Sequence, residues 1–255
     1  MNLYEAIYVR QSVRKFQMKP IDELTMKHIR RYIQAVSPLY SDIKWHIEIL
    51  DTQDQKKTVR GAWKAEAPCY LAIYTEEGRR AFVNAGFILE QLVLYLVTKG
   101  IGSCFQGGLH TTYQPDAARG LKPVMIVAFG WGRGCIERDV KEARRMRLQD
   151  MIVAKEEMGE DMKTMLRAAR LAPSAFNAQP WRFVVYHNRV HVFERKQWKW
   201  MPAMGKIKDF DIGVVLSHFV LAAEELWLQC EVQRLGSISE KSMKNYEYAA
   251  TVVVE

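Results

Sequence analysis

The chain has 255 residues, 49% of them apolar and 26% charged, with a net charge of +8. That balance belongs to a globular protein long enough for one sizeable core or two small ones, and no low-complexity tract or disordered linker interrupts it. The positive charge favours anionic partners, nucleic acid among them, but its concentration at residues 10–19, 138–147 and 195–199 matters more than the total.

No apolar run reaches the length of a membrane span: residues 87–97 are interrupted by Glu90, and 214–228 by Glu224 and Glu225. The first residues lack an apolar signal core and turn basic at once. Cys69, Cys104, Cys135 and Cys230 lie far apart with no C-x-x-C pair, which reads as reduced thiols and neither a disulfide framework nor a zinc site. The expected location is therefore the cytoplasm, with no membrane and no metal.

In chain order, a short helix over residues 3–9 is followed by Arg10-Gln11-Ser12-Val13-Arg14-Lys15-Phe16. Two guanidinium forks four residues apart with a hydroxyl between them suit a phosphate dianion through charge-assisted bonds, although the same triplet also marks solvated turns and kinase substrates. An apolar-periodic helix at 29–36 stops at Ser37-Pro38, and a strand opens at Trp45 and runs to Leu50. Asn84-Ala85-Gly86 leads into an apolar helix at 87–98, and a strand follows at 124–129. Gly100-Ile101-Gly102 lacks the spacing of a dinucleotide fingerprint and follows a helix where a strand should stand.

Residues 133–161 form a charged connecting stretch whose Leu148, Met151 and Ile152 supply an apolar face. A helix at 165–171 stops at Ala172-Pro173, because proline lacks an amide donor and restricts its neighbour. The loop that follows carries Ser174, Asn177 and Gln179, neutral groups that suit the edge of a flat heterocycle, or a plain helix cap and turn. A strand opens at Trp181 and runs to Tyr186. His187 and His191 bracket a hairpin turn into residues 190–193, in preference to binding zinc.

Arg195-Lys196-Gln197-Trp198-Lys199-Trp200, with Met201, Pro202 and Met204 after it, reads as a lid over a substrate pocket or as a nucleic-acid surface. Asp211-Ile212-Gly213 leads into a second apolar helix at 214–229, and the chain closes on a strand at 250–254. Trp45 and Trp227 read as core.

The order helix, strand, strand, long buried helix, strand thus occurs twice, and the chain reads as an internal repeat. The halves cover about 1–135 and about 161–255, joined by an arm at about 136–160.

Arg-x-Ser-x-Arg-x-Phe at 10–16 and Ala-Pro-Ser-x-x-Asn-x-Gln-Pro-Trp-x-Phe at 172–183 together resemble the signature segments of the FMN-dependent nitroreductase family. Residues 99–109 resemble that family's Gly-Leu-Gly-Thr-Cys-Trp-x-Gly-Gly loop. Ala128-Phe129-Gly130-Trp131-Gly132 resembles the strand and glycines that follow it, and 143–148 resembles its basic phosphate-binding arm. The order departs from ordinary members. Their Pro-Ser loop follows soon after the arginines, whereas here the early slot, 37–43, has lost the polar pattern and the good copy lies in the second half.

The resemblance is therefore to a subgroup with fused halves, a pseudo-dimer in one chain. It implies an α+β nitroreductase-like fold, one FMN per chain held between the halves, NADH or NADPH as donor, and a nitroaromatic, quinone or similar small organic acceptor. It implies phosphate binding by Arg10 and Ser12 with help from Arg145 and Arg147, and Arg14 at the pyrimidine edge. Pro173, Ser174 and Asn177 would approach the ring and ribityl chain, with Gln179 supporting their loop. Gly107 and Gly108 would offer backbone amides near the reactive nitrogen N5. The alternatives left open are a flavin-binding protein without turnover, a specialised flavin reaction such as dehalogenation or flavin breakdown, and a basic nucleic-acid-binding module. Further pairing of chains also stays open.

Overall fold

The computed structural model describes residues 1–52, 54, 59–62, 64–196, 203–239 and 244–255, with the side chains of 203–205 and 239 left aside. The tail of the 195–200 segment that suggested a lid lies outside the described residues. The described chain divides into two compact units, Met1–Glu142 and Ala143–Glu255.

In the first unit, α1 (Leu3–Val9) begins with a reciprocal cap, Asn2 Oδ1 accepting from Glu5 N while the Glu5 carboxylate accepts from Asn2 N. Next come α2 (Glu23–Ala35), β1 (Trp45–Asp51), β2 (Val59–Gly61) and β3 (Cys69–Thr75). After them follow α3 (Arg79–Thr98), β4 (Gly102–Phe105), β5 (Leu109–Thr111) and β6 (Lys122–Gly130). The main sheet runs β1-β3-β6-β4, antiparallel throughout, and β2 pairs with β5 in a separate small ladder.

Helix α3 starts eight residues before the boundary expected from sequence (Arg79 against 87), so Asn84-Ala85-Gly86 lies inside it. A glycine costs a helix roughly 1 kcal/mol, but residues 81–94 are buried without a break, and that packing outweighs local propensity. At its full length α3 is long and apolar enough to cross a membrane, yet it forms the buried centre of its unit and carries Asn84, Glu90 and Gln91 there.

In the second unit the elements are β7 (Ile152–Ala154), α4 (Glu160–Arg170), β8 (Trp181–Val185) and β9 (Arg189–Arg195). They continue with α5 (Ala203–Glu225), β10 (Cys230–Gln233), α6 (Gly236–Ser239) and β11 (Tyr246–Val254). The sheet runs β10-β11-β9-β8-β7, with β7 parallel to β8 and every other pair antiparallel. β8 and β9 form the hairpin expected at His187–His191, and His191 Nδ1 lies 2.8 Å from Thr251 Oγ1 inside the sheet.

The two units repeat one plan. Element order α2-β1-β3-α3-β4-β6 matches α4-β8-β9-α5-β10-β11, and strand order β1-β3-β6-β4 matches β8-β9-β11-β10, with β7 added at one edge. The short strands β4 and β10, which carry Cys104 and Cys230, escaped the sequence reading.

The long helices also end alike. Ile101 N donates to Leu96 O and Gly100 N to Val97 O, while Leu228 N donates to Ala223 O and Trp227 N to Glu224 O, the same C-terminal cap twice. The left-handed residue is Gly100 (φ 71°) in one and Trp227 (φ 58°) in the other. This overturns the expectation that Trp227 is core: it is 96% exposed, because the left-handed cap residue turns its side chain out of the helix end. Trp45, at the start of β1, is half-buried.

Candidate functional site

Each unit carries one constellation of the polar residues singled out in the sequence. In the first, the chain leaves α1 at Arg10 and threads between two neighbours. Arg10 bridges to Glu137, Ser12 to Ser103 of β4, and Phe16 to Gly132. Val13 N donates to Ser103 O at 2.9 Å, and Gln11 Nε2 donates to Cys135 O and Glu137 O. Gly102 permits this approach, since a Cβ there would lie 2.9 Å from the Val13 side chain.

Three groups stand out among the residues of these bridges and their neighbours. Arg10 is buried, and that burial lowers its basicity against the opposing pull of Glu90 and Cys104; Arg14 lowers it further. Arg138 is shifted in the same direction, first by burial and next by Arg10 itself. Arg138 Nε and Nη2 and Ser103 Oγ are buried and have no hydrogen-bond partner among the described residues. Arg10 depresses Arg138, and the unpartnered Arg138 donors are of the kind that an anion would satisfy.

Arg14 stays exposed and Ser12 half-buried. Ser103 and Arg138 join the candidate residues only through the structure: Ser103 lies within residues 99–109, and Arg138 opens the basic run 138–147.

Gly107 and Gly108 form the exposed turn between β4 and β5. A Cβ on Gly107 would meet nothing closer than Met125 Cε at 4.0 Å, and one on Gly108 nothing closer than Ala62 O at 3.8 Å. Their amides make no hydrogen bond among the described residues. The turn is anchored from below by Gln106, whose amide N donates to Ile126 O and whose Oε1 accepts from Ala65 N.

In the second unit, the loop from Pro173 to Pro180 is held by its own side chains and by the arm before α4. Ser174 Oγ accepts from Gln179 N at 2.9 Å. Asn177 spends both ends of its amide on the arm, Oδ1 accepting from Arg145 Nη1 at 2.7 Å and Nδ2 donating to Arg144 O at 2.8 Å. Gln179 Oε1 accepts from Met146 N and its Nε2 donates to Asn177 O. Arg145 also reaches Leu171 O through Nε and Nη2. Arg147 instead forms an exposed ion pair with Asp150 at 2.8 Å, which raises its basicity.

The result is a tightly wound turn in which Phe176, Asn177 and Gln179 all have positive φ (52°, 55° and 45°) without being glycine. Such backbone is strained and persists only where its surroundings over-determine it. It displays Phe176, 83% exposed, at its tip.

Beneath the loop lies a residue absent from the expected set. Asp211, buried on α5, accepts the Ala175 amide through both oxygens at 3.2 and 3.1 Å. The first unit has the same clamp two residues after its own proline: Asn84 Oδ1 accepts Tyr40 N at 3.0 Å, and Nδ2 donates to Tyr40 O at 3.3 Å. With a single N–H for company, burial raises the Asp211 carboxyl from 3.8 to about 8.

A family profile described as "Putative TM nitroreductase" matches residues 2–223. No curated protein matches the chain. Among solved structures, a protein of Thermotoga maritima described as a putative nitroreductase superposes with a TM-score of 0.67 at 21% identity, covering 99% of this chain and 94% of that one. A nitroreductase family protein of Clostridium difficile gives a TM-score of 0.47 at 14% identity, over 60% of this chain and 98% of its own. An FMN-dependent nitroreductase of Clostridium difficile gives 0.42 at 16% identity, over 53% and 94%. The first superposition establishes an α+β nitroreductase-like fold over the described chain.

Proposed function

We propose, from the premise that this chain belongs to the nitroreductase family whose profile it matches over residues 2–223, that it is an FMN-dependent NAD(P)H oxidoreductase acting on nitroaromatic, quinone or similar small organic acceptors. The observation that carries the cofactor reading is the pair of buried Arg138 donors, Nε and Nη2, without a partner among the described residues, on a guanidinium that Arg10 depresses. A phosphate monoester would supply acceptors for them.

Arg10, Ser12, Ser103 and Arg138 would hold the phosphate. Arg138 would take the part that the resemblance implied for Arg145 and Arg147, because Arg145 is engaged with Asn177 and Leu171, and Arg147 with Asp150. Arg14, exposed and cationic, would stand at the pyrimidine edge and favour a negatively charged ring. The open turn at Gly107 and Gly108 would present two free amides to a flat ring without a side chain in the way.

Pro173, Ser174 and Asn177 would contact the flavin, as the family resemblance implies, on a loop whose shape Gln179 and Arg145 fix beforehand. Pre-set geometry of this kind lowers the cost of ordering a ligand. Bound FMN would supply hydride exchange between the nicotinamide donor and the acceptor; the chain's own part is binding, orientation and electrostatics. The order of elements and the paired clamps and caps support an origin by internal duplication, with one complete site kept. The four cysteines, all free, accord with a cytoplasmic setting.

The test is the visible spectrum of the purified chain, with flavin quantified per chain, before and after anaerobic addition of NADH or NADPH. One FMN per chain that bleaches is the expected result. Flavin that binds without bleaching would remove the oxidoreductase reading, and no binding after reconstitution would remove the cofactor reading as well.

A further inference from the structure

Asp211 is a poor choice for a purely structural clamp. Its counterpart Asn84 makes two hydrogen bonds to Tyr40 with a neutral amide, one through each end. Asp211 makes one to Ala175, shared between its two oxygens, and does so while buried. A buried carboxylate with a single neutral donor is costly, and asparagine would do the same mechanical work without that cost.

The neighbours offer no compensation. The ionisable groups on the elements packed against α5 include Lys163, Arg167 and Arg170 of α4, Glu231 of β10, and Glu247 and Tyr248 of β11. On α5 itself stand Lys206, Lys208, Asp209, His218, Glu224 and Glu225. None of them forms an ion pair with Asp211 or figures among the influences on it, which are burial and the Ala175 amide. Arg170 is turned to Met146 O, and His218 Nδ1 lies against Ala168 O.

We propose that Asp211 is a positioning residue for the strained turn at 173–180, fixing the Ala175 amide and, through the proton it carries, deciding how firmly that turn is held. Its consequence for flavin rests on the function proposed above. When the carboxyl is protonated, one oxygen still accepts the Ala175 N–H and nothing charged is buried. When it is ionised, the charge is relieved by opening the turn to water, and opening releases the left-handed run at Phe176, Asn177 and Gln179. The wound turn, in which the carboxyl is the weaker acid, is therefore favoured at low pH. It loses ground as pH rises from the ordinary carboxylate range up to about 8, and the loss levels off above that.

Two measurements on the full chain test this with Asp211→Asn and Asp211→Ala beside the unaltered protein. The first is amide exchange over residues 172–181 without flavin, compared between variants at each pH. The unaltered chain should lose protection between about pH 5.5 and about pH 8.5, Asp211→Asn should stay protected at both, and Asp211→Ala at neither. The second is FMN affinity by fluorescence quenching. Between the same limits the unaltered chain should weaken at least about tenfold more than Asp211→Asn, whose pH dependence reports only the shared titrations of FMN and the other groups.

If Asp211→Asn follows the unaltered chain at both pH values, or if Asp211→Ala is as protected as the unaltered chain, the proposal is wrong. If FMN binds none of the three, the function proposed above fails, and the exchange data still decide the role of Asp211.

Discussion

Truncating Arg138 to alanine should separate affinity for the cofactor from stability of the fold. In the structure its Nε and Nη2 are buried without partners, and its charge is opposed by Arg10. A charge-assisted bond to phosphate is worth roughly 1.5–3 kcal/mol, and each buried donor left unmade costs about 1–3 kcal/mol, so pairing both donors with phosphate gains from each source. Allowing for the flexibility regained on truncation, the expected loss is about 2–3 kcal/mol, or roughly 30–150-fold in FMN affinity.

The apoprotein should not lose stability, because the substitution removes two unsatisfied donors and a repulsion while leaving the backbone bond from Arg138 N to Val9 O in place. Titration by flavin fluorescence, run in parallel with FMN and with riboflavin, isolates the phosphate. Arg138→Ala should lose affinity for FMN and leave riboflavin unchanged. Equal losses for both ligands, or an unchanged FMN affinity with a lowered melting temperature, would refute the assignment and return Arg138 to a structural role.

Asp211→Asn should alter the pH profile of global stability. The carboxyl rises from 3.8 to about 8 on folding, a span of about four units at about 1.4 kcal/mol each, and relaxation with water entry reduces that ceiling to roughly 2–3 kcal/mol. Below 3.8 both states are protonated and nothing is gained; as pH rises towards about 8 the unaltered protein falls behind Asp211→Asn, and the gap is constant above. Urea unfolding of both proteins across that range checks the sign, and a gap that shrinks with pH would contradict it.

Trp227→Gly should stabilise the chain by about 0.5–1 kcal/mol. It relieves a left-handed side chain costing about 1–2 kcal/mol, loses little packing from a residue 96% exposed, and gives back part of the gain as entropy of the unfolded chain. The reciprocal Gly100→Ala should cost about 1 kcal/mol through backbone strain alone, since the new Cβ would meet only Trp131 Cζ3 at 3.9 Å. Thermal melts of the pair decide both. Gln179→Ala should destabilise by roughly 1–2 kcal/mol and weaken FMN binding with it, because Met146 N loses its acceptor and the turn a cross-brace.

Much of the frame was legible because its signals are local and strong. Pro38 and Pro173 mark helix stops, and Trp45 and Trp181 open the strands that follow. The hairpin at Asn188 is announced by a polar turn between β-rich runs. What failed were features decided by packing. The glycines and polar residues at 84–86 and 211–213 look like helix starts, and only burial from several sides shows that they lie within α3 and α5. Trp227 looks like core because tryptophan usually is, and nothing in its neighbours announces a left-handed cap without glycine.

At the candidate site, the sequence points to residues by type and passes over those marked only by their environment. Arg138 is one arginine in a basic run until its guanidinium is seen to be buried against Arg10. Asp211 is one acid among several on α5 until its single partner is found to be the Ala175 amide.

The comparison of the two loops after Pro38 and Pro173 separates scaffold from function within one molecule. Both are tied by the residue two past the proline to the buried helix of their own unit, at Asn84 and at Asp211. That tie is also present in the first unit, whose loop lacks the polar pattern, so it belongs to the fold. The second unit adds the left-handed run at Phe176, Asn177 and Gln179 and the grip on the arm through Asn177 and Gln179. It also exchanges a neutral amide for an acid at the tie. The strained backbone, the committed amides and the costly acid beneath them occur together at the loop that carries Ser174, Asn177 and Gln179, and among the described residues the first loop has none of them. Strain and unfavourable burial persist where something offsets them. The exchange of Asp211 for asparagine therefore asks whether that something is the hold on the turn at 173–180.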